Sequence, residues 1–154
     1  MQNFPHFYSV STAGAPQGDL ELSTPRVNAL RSAAPKEFDG PGDRWSPETL
    51  LVASVGDCFV LTFRGIAKNS RLPWTSVDCD VTGTLDRVDN ITQFIAFEIH
   101  VYLHLPAGTP IDLAERVLDK AERNCLVANS LKGAVHLVPH ITVGQSDGAT
   151  LAHA

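Results

Sequence analysis

Cysteines stand at positions 58, 79 and 125, and each can act as apolar filler, metal ligand or redox centre. A cysteine does nucleophilic chemistry only as the thiolate, so a reactive one needs neighbours that favour its charged form. Cys58 shares a helical face with Leu51, Ser54, Val55, Leu61 and Thr62; Cys125 follows Asn124 at a helix junction; Cys79 sits among inward-pointing strand residues and reads as core. Two histidine pairs, His100/His104 and His136/His140, have a four-residue spacing. On a helix that spacing makes a metal pair, but both fall in candidate strands, where four residues span about 13 Å. Neither pair can hold one ion by itself, and no metal is expected. Glu48 is an acid in a first helical turn, a position that stabilises the helix dipole. Phosphate loops and dinucleotide-binding glycine patterns are absent.

The elements that must position these residues are legible in outline. Residues 1 to about 45 are rich in Gly, Pro, Ser and Asp, with short extended candidates at Phe7–Ser11, Leu20–Ser23 and Arg26–Leu30. Ser46-Pro47-Glu48 starts a helix: a Ser cap, Pro at the first position, an acid in the first turn. The helical pattern predicts a central helix over 46–70, with Asp57, Arg64 and Lys68 on one stripe. The rest of its circumference is apolar or small, which predicts burial by neighbours on several sides. Two alternating strands, Val77–Arg87 and Ile95–Leu105, flank a turn at Val88-Asp89-Asn90. An amphipathic helix over Ile111–Arg123, a short helical piece over Cys125–Leu131 and a strand over Ala134–Val143 complete the chain. The expected fold is α+β: one domain, 1–154, with a long buried helix against antiparallel strands.

Composition narrows the function classes. Charged residues make up 19% and hydrophobic residues 44% of 154, enough for a core without a stabilising metal or disulfide. A net charge of -5 without a basic cluster argues against nucleic-acid binding. No basic start with an apolar run opens the chain. The longest apolar run, Leu50–Phe63, is interrupted by Ser54, Gly56, Asp57 and Thr62. These features predict a cytoplasmic protein with no membrane partner, and an odd cysteine count does not make a secreted disulfide framework.

Three dispersed features together resemble the OsmC/Ohr family. They are Trp45-Ser46-Pro47-Glu48-x-Leu50-Leu51, then Cys58 ten residues past the Glu, then Asn124-Cys125-Leu126-Val127-x-Asn129-Ser130-Leu131. The order of elements matches across nearly the whole chain. The resemblance implies an OsmC-like fold in an intertwined homodimer with active sites at the interface. It implies reduction of organic hydroperoxides with no cofactor, with Cys58 as the attacking thiolate, Cys125 as its resolving partner and an external dithiol as reductant. Glu48 would then hold the cation that lowers the Cys58 pKa. Because Glu48 and Cys58 lie roughly 15 Å apart along one straight helix, a site using both is expected to form across the dimer.

The chain departs from the family at that cation. The usual Arg positions read Ala15-Pro16-Gln17-Gly18 and Lys36-Glu37-Phe38-Asp39-Gly40, without Arg. Lys36, Arg26, Arg31 and Arg44 are the candidate replacements. Two other readings follow: a non-catalytic dimer binding an apolar ligand at the interface, and a structural dimer whose cysteines are only core.

Overall fold

A computed structural model describes residues 3–145. The chain divides into two compact units, Met1–Leu51 and Val52–Ala154.

The first unit is a small antiparallel sheet in the order β1 (Ser11–Ala13), β2 (Leu20–Ser23), β3 (Leu30–Ser32). β2 lies as expected, whereas β1 and β3 begin a few residues later than the alternation predicts. Register explains this: Thr12 pairs with Leu22 and Leu22 with Leu30, so β2 selects the stretches that can bond to it on both sides. Helix α1 (Pro47–Asn69) begins at the end of this unit. The Ser46 Oγ accepts from the Thr49 N–H at 3.2 Å, and the Ser46 N–H donates to Thr49 Oγ1 at 2.9 Å. This is a reciprocal capping box in which Thr49 does the work usual for Glu or Gln.

In the second unit, α1 ends where Arg71 turns into the left-handed region at φ 53° and the Leu72 N–H reaches back to the Ala67 carbonyl at 3.0 Å. Such a bond satisfies a carbonyl that the helix itself leaves open. β4 (Ser76–Val88) and β5 (Ile91–Leu105) then form a hairpin. Its connection is Asp89-Asn90, both at positive φ, the two-residue turn whose twist suits flanking strands. Helix α2 (Ile111–Asn124) leads to β6 (Ala134–Val143), giving a sheet ordered β4-β5-β6.

One pairing departs from the antiparallel expectation: β6 runs parallel to β5, His100 opposite Val138 and Tyr102 opposite His140. The cause is α2, a helical crossover that returns the chain to the same end of the sheet before β6 starts. Ile95, expected to point inward, is instead 37% exposed. Thr84 pairs with Ala96 and Leu85 with Phe94, so Ile95 is the extra residue of a bulge.

The core of this unit joins three apolar sets. β5 contributes Phe97, Ile99, Val101, Leu103 and Leu105; α2 contributes Ala114, Val117, Leu118 and Ala121; α1 contributes the stripe Val55, Phe59, Phe63 and Ala67. Each large side chain among these stabilises the fold by about 1.5–3 kcal/mol. Helix α1 comes close to β4 because glycines face it. A Cβ on Gly56 would lie 3.1 Å from Val81 Cγ2, and one on Gly83 would lie 2.8 Å from Val52 Cγ2.

Two expectations about α1 change. Within one chain a single stripe is buried and not several sides, and Leu61 stays 54% exposed. The helix is also apolar and long enough, by length and composition, to cross a bilayer, because its few polar interruptions do not offset the surrounding Leu, Val, Phe and Ile. The α1 stripe in the core is nonetheless fully buried.

Candidate active site

The segment after α2 is built to present backbone N–H groups. The Cys125 N–H bonds the Glu122 carbonyl at 3.2 Å as α2 closes, and the Asn129 N–H bonds the Cys125 carbonyl at 3.0 Å. The regular part of the helical piece expected over Cys125–Leu131 is a single 3-10 turn, Ala128–Ser130. Side chains pin this turn: Asn129 Nδ2 donates to the Arg123 carbonyl at 3.1 Å and Ser130 Oγ to the Leu126 carbonyl at 2.8 Å. Asn124 Nδ2 donates to the Lys120 carbonyl at 2.7 Å and fastens the end of α2. The polar residues of the Asn-Cys-Leu-Val-x-Asn-Ser-Leu motif thus hold the backbone in shape.

What the turn presents them to is Cys58. The Val127 N–H donates to Cys58 Sγ at 3.5 Å across a 69-residue sequence separation. Cys58, on α1, is half-buried and Cys125 is fully buried; both are free thiols. Burial pushes the Cys58 thiol up, but hydrogen bonds from the Val127 N–H, the Cys125 thiol, the Thr62 hydroxyl and the Leu126 N–H outweigh it. The net direction is down from the ordinary value of 9.0. Donors to a thiolate stabilise the charged form, so the four together act as a cation would. Cys125 moves the other way: burial raises it, and so does its bond to Cys58, beyond what the Ala128 and Val127 N–H groups offset. One sulfur is therefore poised as acceptor and the other as donor.

Cys79 lies on β4 facing α1, with its sulfur 3.7 Å from where a Cβ on Gly56 would stand. Burial, Asp80 and Cys125 push it up to about 11. It stays protonated at neutral pH, in keeping with the core role expected of it.

The remaining candidates lie in the first unit. Glu48 sits in the first turn of α1 with Oε2 buried and without a hydrogen-bond partner among the described residues. Arg44 is committed to carboxylates: Nε lies 2.8 Å from Asp19 Oδ2 and Nη1 lies 3.0 Å from Asp43 Oδ2. The Asp19 hydrogen bond raises its pKa. Arg31 Nη1 approaches the same Asp19 oxygen at 3.8 Å. Arg26 occupies the turn after β2 at φ 68°, and Lys36 opens the short 3-10 turn Lys36–Phe38; neither makes an ion pair among the described residues. Two hollows in this unit are lined by Arg31, Asp43, Arg44, Trp45 and Thr49, and by Gly18, Asp19, Leu20, Glu21 and Arg31; no cysteine lines either.

The geometry thus brings Cys58 and Cys125 together, and adds Thr62, Leu126 and Val127. Thr62 was legible only as a residue one helical turn beyond Cys58. The two N–H donors carry no side-chain signature.

A family model described as OsmC-like protein matches residues 40–139, a stretch that includes Glu48 and both cysteines of the pair. The chain belongs to the OsmC-like family. Among curated relatives, an uncharacterised Bacillus subtilis protein, YmaD, is 25% identical over 86% of this chain and 90% of its own length. Among solved structures, an OsmC-like protein of unknown function from Vibrio cholerae superposes with a TM-score of 0.76 at 17% identity, over 86% of this chain and 99% of that one. An organic hydroperoxide resistance protein of Legionella pneumophila gives 0.70 at 23% identity, over 90% and 100% of the two chains. One from Elizabethkingia anophelis gives 0.71 at 17% identity, over 92% and 100%. The α+β fold expected from the sequence is therefore the OsmC-like fold.

Proposed function

We infer that this OsmC-like protein is a thiol-dependent peroxidase that reduces organic hydroperoxides through Cys58 and Cys125. The observation that carries this reading is the convergence on Cys58 Sγ of the Val127 N–H and the Cys125 thiol, with a pKa below the ordinary value despite burial. The fold shared with two proteins called organic hydroperoxide resistance proteins supports the substrate class.

The Cys58 thiolate attacks the distal oxygen of ROOH. The O–O bond breaks, the alkoxide takes a proton to leave as ROH, and sulfur is oxidised to Cys58–SOH. The Cys125 thiol then displaces hydroxide from that sulfur, forming the Cys58–Cys125 disulfide and water. An external dithiol returns both cysteines to thiols by exchange. A homodimer in the cytoplasm is part of this reading, supported by the apolar surface that α1 leaves exposed at Leu61. Glu48, with one unpartnered oxygen, is proposed to receive a cation within that dimer; Lys36 and Arg26, which make no ion pair among the described residues, are freer to supply it than Arg31 and Arg44, which are drawn to Asp19.

Intact mass after one equivalent of cumene hydroperoxide tests the reading. The expected result is loss of two hydrogens per chain, gain of oxygen in Cys125→Ser, and no change in Cys58→Ser. Thiols that survive excess peroxide in the unaltered chain would overturn it in favour of an apolar-ligand-binding dimer.

A further inference from the structure

Parallel pairing of β5 and β6 gathers side chains that the sequence keeps 40 residues apart. On the face of the sheet opposite the buried Phe97, Ile99, Val101 and Leu103, the outward residues of β5 are Glu98, His100, Tyr102 and His104. His140 of β6 lies opposite Tyr102 and stacks on it, ring centroids 4.6 Å apart. It also lies alongside the His100 ring, with planes 11° apart, and His140 Nε2 is 3.2 Å from His100 Nδ1. The other nitrogen of His100, Nε2, is 2.5 Å from Glu98 Oε1.

We propose that this outer face binds a divalent transition-metal ion, such as Zn²⁺ or Ni²⁺, with His100 Nδ1 and His140 Nε2 as its protein ligands. Two imidazole nitrogens each about 2.0–2.1 Å from one ion lie roughly 2.9 Å apart at a right angle and 3.4 Å apart at the tetrahedral angle. The separation of 3.2 Å falls between them. The protonation pattern fits as well. Glu98 accepts the Nε2–H of His100 and so leaves the lone pair of a neutral ring on Nδ1, facing His140. This is the carboxylate–histidine arrangement that orients a metal-binding ring and raises its basicity. With the proton of His140 on Nδ1 the two lone pairs face one another, the ring centroids 5.5 Å apart, and each ring tilts towards an ion seated beside the line that joins them. Imidazole is a ligand that suits zinc, nickel and copper. No group of three or more metal-ligating side chains comes together among the described residues, so water fills the other positions and the ion exchanges readily. Because the ligands come from two strands, a bound ion ties β5 to β6.

Isothermal titration of untagged full-length protein with NiCl₂, and separately with ZnCl₂, tests the site. One ion per chain is expected. Binding should be at least tenfold weaker in His100→Ala and in His140→Phe, the latter keeping an aromatic ring on Tyr102, and roughly tenfold weaker in Glu98→Gln. It should persist in Cys58→Ser/Cys125→Ser, which separates this site from the thiols and makes the result independent of peroxidase activity. The ion should also raise the thermal midpoint of the unaltered chain and not that of His140→Phe. Absence of saturable binding, binding indifferent to both histidine substitutions, or binding lost with the cysteines would each overturn the proposal.

Discussion

Cys58 and Cys79 stand within one unit of the chain, both partly out of water, and their thiols shift in opposite directions. Burial raises both. Cys58 faces the end of a broken helix, where N–H groups of Leu126 and Val127 are free to donate, and Thr62 and Cys125 add two more bonds. Cys79 lies on a strand whose N–H groups are engaged in pairing with β5, and its nearest charge is the like charge of Asp80. The contrast teaches that donors left unpaired at a helix end, more than depth of burial, decide which buried thiol ionises.

The largest test of this contrast is removal of each sulfur. Cys58→Ser should lower peroxide consumption by on the order of 10³-fold or more, as loss of a nucleophile does, whereas Cys79→Ser should leave it within about twofold in a coupled peroxidase assay. Equal losses in both variants would erase the distinction. Next comes pH. With its pKa below 9.0, Cys58 should be alkylated by iodoacetamide first as pH rises, and Cys79 should resist until pH approaches 11, read by peptide mass mapping. The same raised Cys79 pKa acts on folding. Relative to an unfolded thiol its contribution is complete below the unfolded pKa and declines as pH climbs towards 11, so urea midpoints should fall over that interval and fall less in Cys79→Ser.

A smaller effect isolates one donor. Thr62→Val removes a hydroxyl bond to the thiolate and should slow Cys58 alkylation at neutral pH by roughly tenfold, since one such bond to a charged group is worth about 1.5–3 kcal/mol at most. An unchanged rate would assign the lowering to Val127, Leu126 and Cys125. The smallest expected change is Gly56→Ala, whose new Cβ meets Val81 Cγ2 at 3.1 Å and Cys79 Sγ at 3.7 Å. The gain in helix propensity offsets part of the crowding, leaving a loss of about 1 kcal/mol in urea unfolding.

How much of this could be read in the chain depends on the range of the cause. Ser46-Pro47 set the start of α1, period-two alternation marked β4 and β5, and the amphipathic stripe marked α2, because capping and patterning act over a few residues. The proximity of Cys58 and Cys125 was an implication of their motif context, and the family model confirms the family behind that resemblance. The direction of β6, the bulge at Ile95 and the meeting of His100 with His140 were not legible. Each depends on which strand lies beside which, and in what register. The donors on Cys58 belong to the same class: a backbone N–H looks alike at every position, and only the folded chain decides which ones face a sulfur and which ones are already paired.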